Sequence, residues 1–190
     1  MKTSHLLACG AIALLFGAIG AWVGVNKKEP APPVTATVPP GQAAAGSAVV
    51  GALLARSMPD AQGTPQALSQ WKGKPLLVNF WATWCGPCVK EMPELSQLQA
   101  GGKYKDLQVI GIGIDSPSNV AAFTKKFKID YPIYVDGVAG TELSRQFGNA
   151  QGGLPFTVLI GADGQVKKTY LGLLKFDLLH QDLAALQPAL

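Results

Sequence analysis

The sequence predicts an α/β fold, a buried sheet with helices on both faces, preceded by a single transmembrane helix. Three observations carry this. Two runs, Leu76–Ala82 and Leu107–Ile114, are almost continuously apolar, as strands buried on both faces are. Stretches of helical periodicity alternate with such runs, giving the order β-α-β-α-β-α-β-β-α. An uncharged, mostly apolar run of 20 residues, Leu6 to Val25, opens the chain. At about 1.5 Å per residue it spans about 30 Å, the thickness of a bilayer core.

Taken in order, the first segment (1–28) reads as a signal anchor. Lys2 precedes it and Lys27-Lys28 follow, so the flanking charge orients it weakly. A secretory signal peptide cut near Ala18-Ile19-Gly20 remains the alternative, and either sends the rest of the chain out of the cytoplasm. Leu6-Leu7-Ala8-Cys9 has the letters of a lipoprotein box, but it precedes the apolar run rather than following it. Residues 29–48, with Pro30, Pro32, Pro33, Pro39, Pro40 and many alanines, read as an extended linker reaching at most about 60 Å. The folded domain is expected over 49–190.

Within that domain, turn signals at Pro59-Asp60 and Gly63-Thr64-Pro65 place a short hairpin or capping strand before Leu68. Gly73-Lys74-Pro75 opens the first buried strand. A helix is expected from Val89 to about Ala100, and a second strand over Leu107–Ile114. Ser116-Pro117 starts the next helix, with serine as cap and proline in the first turn. Tyr131–Val135 reads as a short strand and Thr141–Phe147 as a short helix. Phe156–Ile160 and Val166–Leu171 flank Asp163-Gly164 and read as a hairpin. The last helix runs from about Phe176 to Leu186.

Composition narrows the function. The chain of 190 residues is 48% hydrophobic with a net charge of +4. Its lysines and arginines are scattered, apart from short pairs, and no basic stripe interleaved with aromatics supports nucleic-acid binding. Three cysteines are too few for a disulfide-stapled scaffold. Structural zinc needs four ligands, and beyond the paired cysteines only Cys9, His5 and His180 are on offer.

The chemistry sits in Trp84-Cys85-Gly86-Pro87-Cys88, placed between a buried strand and a helix. A disulfide-exchanging cysteine must ionise near neutral pH, and an ordinary thiol has a pKa of about 8.5. The unpaired N–H groups and positive dipole end of a helix N-terminus favour the thiolate on Cys85. Pro87 costs nothing in a first helical turn. Cys88 is spaced to attack a mixed disulfide that Cys85 has made, so Cys85 is the expected nucleophile and Cys88 the resolving thiol.

Phe80-Trp81-Ala82-Thr83-Trp84-Cys85-Gly86-Pro87-Cys88, followed by Glu91-Met92-Pro93, resembles the thioredoxin superfamily, and within it the TlpA/ResA-like branch of exported bacterial disulfide reductases. The resemblance spans roughly residues 68–186. It implies a thioredoxin fold with an N-terminal hairpin extension and a central insertion near 116–146. Gly153-Leu154-Pro155 matches the family's second signature, so Pro155 is expected in cis beside the cysteines, with the Leu154 backbone free to pair with a substrate. Phe156 stands where the family often has threonine. Asn79 replaces the buried aspartate of many thioredoxins, and an amide cannot serve as a general base. Glu91 then either tunes the cysteines, as the resemblance implies, or is a solvent-facing acid favoured by the helix dipole. Pro93 matches the superfamily's kink-forming proline. Trp81 reads as packing, and Trp84 as packing or a substrate-contact surface.

The resemblance also implies a bacterial inner-membrane protein with one span and a periplasmic catalytic domain. Its redox group is the Cys85–Cys88 pair, with no cofactor. Its expected partners are exported proteins carrying disulfides, such as apocytochrome c or copper-site assembly proteins, and a membrane thiol donor of the DsbD/CcdA type. The chain is expected to be a monomer. A net oxidant or isomerase, a peroxiredoxin-like peroxidase and a non-catalytic thiol or Cu(I)-binding module are the competing readings.

Overall fold

The computed structural model describes residues 40–104 and 106–186. The anchor expected over Leu6–Val25 and the first part of the expected linker lie outside them. Among the described residues no helix is long and apolar enough to cross a membrane.

The first described element corrects the expected boundary. A helix, α1, runs from Pro40 to Leu54, where an extended linker was expected to continue to Ala48. The residues explain both readings. Proline is harmless in a first helical turn, and alanine, which makes the segment look like linker, is also the best helix former. What decides between them is Val50 and Leu53, which are buried against the sheet. A short helix is marginal in water without such packing.

Strands β1 (Ser57–Pro59) and β2 (Pro65–Ala67) form the expected hairpin, antiparallel and separate from the main sheet. The Asp60 carboxylate organises its turn by accepting from the amides of Gln62 and Thr64, each at 2.9 Å. One 3₁₀ turn, Leu68–Trp71, leads to β3 (Leu76–Trp81), every residue of which is buried. Then follow α2 (Gly86–Ala100), β4 (Gln108–Gly113), α3 (Pro117–Phe127), β5 (Ile133–Val135) and α4 (Gly137–Gln146). The hairpin β6 (Phe156–Ile160) and β7 (Val166–Leu171) and the helix α5 (Phe176–Ala185) complete the chain as described.

The five-stranded sheet has the order β5-β4-β3-β6-β7. β4 runs parallel to β3 and β5, whereas β6 is antiparallel to β3 and β7. Strand alternation divides the core in two. Leu77, Trp81, Val109 and Leu159 face α2, α3 and α5, meeting Met92, Leu95, Val120 and Leu179. Leu76, Val78, Phe80 and Ile112 face the other way, onto Val50 and Leu53 of α1, Leu143 of α4 and Phe147 just after it. The same alternation puts Asn79, between Val78 and Phe80, on the α2 side. Central β3 therefore delivers both the cysteine loop and a buried amide to one face.

Candidate active site

Chain direction builds the site. β3 ends at Trp81 in the middle of the sheet, and α2 begins at Gly86, so the cysteines occupy the turn between them. Cys85 is the N-cap of α2, with the extended backbone that position requires. Its Sγ accepts from the amide of Cys88 at 3.2 Å. The two sulfurs are joined, 2.04 Å apart. Cys85 is 6% exposed and Cys88 fully buried, so an incoming disulfide meets Cys85 first. Gly86 and Pro87 are exposed beside it.

The two tryptophans part company. Trp81 is completely buried and its ring stands 5.1 Å from that of Phe123, whereas Trp84 is 71% exposed at the rim of the site. The intervening turn is clamped from the loop before α3. The Asp115 carboxylate accepts from both the amide and the hydroxyl of Thr83, and also from the Ser116 amide and the Asn119 side chain. Burial pushes the Asp115 carboxyl up, but these donors outweigh it and hold it below the usual range.

The second signature loop is held from two sides. The Leu154–Pro155 peptide is cis. Asn149 ties the loop down by donating to the Gly153 carbonyl at 2.9 Å and accepting from the Gly153 amide at 3.0 Å. The Gly172 amide donates to the Pro155 carbonyl at 2.8 Å. Leu154 packs against the core cluster containing both cysteines. Among the described residues, neither its N–H nor its carbonyl has a hydrogen-bond partner. Phe156 points to the opposite core, and alternation then turns Thr157 inward, fully buried, on the Asn79 side.

Behind the cysteines lies a buried polar cluster. Glu91 is one helical turn beyond Cys88 and only 1% exposed, which rules out the solvent-facing reading. The Asn79 amide donates to Glu91 Oε1 at 2.7 Å and to the Thr157 hydroxyl at 3.0 Å. The Leu174 amide, from the loop before α5, donates to Glu91 Oε2 at 3.0 Å. Burial raises the Glu91 carboxyl from 4.5 to about 7, against the two hydrogen bonds that lower it, and Glu94 adds a smaller push upward. The carboxyl is thus poised to lose and regain a proton near neutral pH. Asn79 Oδ1, Trp81 Nε1 and the Tyr131 hydroxyl are buried without partners on this face, and burial followed by the Glu91 charge drives the Tyr131 phenol strongly upward.

Glu91 was a candidate through the family resemblance together with its place one turn beyond Cys88, but its partners were not legible. Leu174 contributes a backbone amide, which every non-proline residue has. Thr157 is one residue displaced from the family's position. Asp115 could be suspected only as part of the Asp-Ser-Pro helix start. Among the described residues no three His, Cys, Asp or Glu side chains stand close enough to hold a metal ion.

Comparison with known proteins agrees with this geometry. Residues 27–182 match the Redoxin family. The thiol-disulfide oxidoreductase ResA of Geobacillus thermodenitrificans is 31% identical over 130 residues, covering 68% of this chain and 72% of that one. ResA of Bacillus cereus is 34% identical over 114 residues, 60% of this chain and 64% of its own. Among solved structures, a thiol:disulfide interchange protein of the thioredoxin family from Chlorobium tepidum superposes with a TM-score of 0.59 at 29% identity, covering 69% of this chain and 92% of that chain.

Proposed function

The chain belongs to the Redoxin family and is a ResA-like, thioredoxin-fold thiol–disulfide oxidoreductase; from that premise we propose that it reduces disulfides in exported proteins outside the cytoplasm. The carrying observation is the Cys85 sulfur capping α2 with a buried carboxyl one turn behind it.

In the reduced enzyme, the Cys85 thiolate attacks one sulfur of a substrate disulfide. A mixed disulfide forms and the first substrate sulfur leaves as a thiolate. Cys88 then attacks Cys85 Sγ, which closes the Cys85–Cys88 bond and releases the second substrate thiolate. Two electrons pass to the substrate, and each released thiolate takes up one proton. The helix N-terminus holds the Cys85 charge. Glu91 receives the Cys88 proton in the second step, a role for which a carboxyl near 7 is suited and the amide of Asn79 is not. Asn79 orients that carboxyl. Trp84, Gly86, Pro87 and the unpaired backbone of Leu154, next to Pro155, form the surface on which the substrate chain lies.

Leu6–Val25 supports a membrane anchor and a periplasmic domain, and Gly86-Pro87 supports a reducing direction with electrons from a membrane thiol donor of the DsbD/CcdA type. Exported cytochrome c or metal-site precursors are the proposed substrates, and the enzyme acts as a monomer. Turnover of insulin with dithiothreitol by the full chain tests the activity; a folded protein without turnover sinks it. A potential above about −200 mV would assign net oxidation instead. Cys88→Ala is expected to leave Cys85 covalently joined to its substrate, and a captured protein without a disulfide-forming cysteine pair would refute the proposed substrate class.

A further inference from the structure

The active-site helix has a second surface. Between α2 and the exit of α3 runs a groove of about 300 Å³. Val89 and Met92, just beyond Cys88, line it from α2, and Phe123 and Ile129 from the other side. Its floor is therefore apolar.

Beside the groove, lysines outnumber acids. Lys125-Lys126-Phe127-Lys128 closes α3, and Phe127 and Lys128 line the groove. Phe127 is 48% exposed, with the Lys126 ammonium 5.2 Å from its ring centre. None of the three lysines takes part in an ion pair among the described residues. Lys128 also holds a left-handed backbone, φ 49° and ψ 54°, to cap the helix, where glycine or asparagine is the usual choice. The opposing charge at the groove is Asp130.

We propose that this groove docks an acidic peptide segment of a redox partner, with one apolar side chain in the groove and carboxylates on Lys126 and Lys128. The observations favour a peptide over a lipid surface. A membrane rewards apolar groups that protrude, whereas this apolar surface is concave and of a size for one large side chain. Lys125, Lys126 and Lys128 outnumber Asp130 there, so the local charge is complementary to carboxylates. The groove begins immediately after Cys88, so a docked segment lies alongside the site without covering Cys85. The inference rests on the disulfide-exchange reading only in making the docked protein a redox partner; the groove itself is independent of it.

The test uses the full chain in neutral detergent micelles and three fluorescent dodecapeptides. One is Asp/Glu-rich with a central Phe, the second replaces Phe by Ser, and the third replaces the acids by Lys. Fluorescence anisotropy is expected to show the first binding at least about tenfold tighter than either other. Raising salt from about 0.1 to about 1 M, which cuts the screening length from about 10 to about 3 Å, should abolish most of that preference. Lys126→Gln with Lys128→Gln should weaken the first peptide about tenfold, and Phe127→Ala should weaken it too. Insulin reduction, read on the same preparations, should be unchanged in these variants. Equal binding of the three peptides, or indifference to the lysine pair, overturns the proposal. Displacement of the peptide by phosphatidylglycerol in the micelles, with the same lysine dependence, would reassign the groove to lipid. Absent insulin turnover with intact peptide selectivity would instead strike the disulfide-exchange reading and leave the groove standing.

Discussion

Glu91 is where burial and chemistry meet. Its carboxyl titrates at 4.5 in an exposed chain and near 7 in the folded protein. The folded state thus holds the proton more tightly, so stability from this group is full below about pH 4.5 and is lost as pH rises through 7. At about 1.4 kcal/mol per tenfold change in proton affinity, the loss amounts to about 3 kcal/mol. Glu91→Gln, which keeps the shape without the charge, is expected to flatten this slope in urea unfolding followed from pH 4 to 8. An unchanged slope would place the titration elsewhere. The same variant should shift the thiol pKa values, since the resolving step loses its proton acceptor; unchanged thiol titrations would remove Glu91 from the mechanism. Asn79→Ala withdraws a donor from the carboxylate and should move the inflection above 7. A lower inflection would show that Asn79 does not stabilise the ionised form.

Helix α1 shows how an element can hide in composition. Its alanines and Pro40 suit both linker and helix, and only buried Val50 and Leu53 select the helix. Leu53→Ala should therefore cost about 2–5 kcal/mol by calorimetry or denaturant unfolding; a cost under about 1 kcal/mol would mean that α1 packs only loosely on the sheet. A fragment starting at Val49 would cut this helix, so a soluble form of the domain should begin before Pro40. The N-terminus of α3 makes the opposite case. Ser116 was readable as its cap, and its hydroxyl does accept from the Asn119 amide at 3.3 Å. Ser116→Ala should cost about 1 kcal/mol. The neighbouring Asp115 does more than the cap, since it ties the cysteine turn to the insertion through Thr83.

At the scale of the whole molecule, the anchor proposed over Leu6–Val25 would keep the domain near a membrane surface. If Leu6–Val25 is the anchor, the full chain should pellet with membranes and resist carbonate extraction, and added protease should reach the domain only once the outer compartment is opened. Release by carbonate would point to a cleaved leader. The order of elements along the chain and the two-sided core were legible because buried strands and amphipathic helices each have their own periodicity, whereas the strand order within the sheet came only with the structure. Strand and helix ends moved by a few residues, as with α4, which begins at Gly137 rather than Thr141.

By itself, the sequence determined the features whose cause lies within one helical turn or one strand. These are the cysteine pair at a helix start, Pro155 before a strand, and the continuous apolar run that buries β3 on both faces. Tertiary structure alone decided how the site handles protons. Glu91 and Leu174 are 83 residues apart, and Asn79 and Thr157 are 78 apart, yet they share one buried cluster. A carboxyl's acidity depends on how much water its surroundings exclude, and that is a sum over every element packed around it. The same holds for α1, whose helix is selected by a sheet it meets only after folding, and for the groove beside Cys88, which is walled by α2 on one side and the end of α3 on the other.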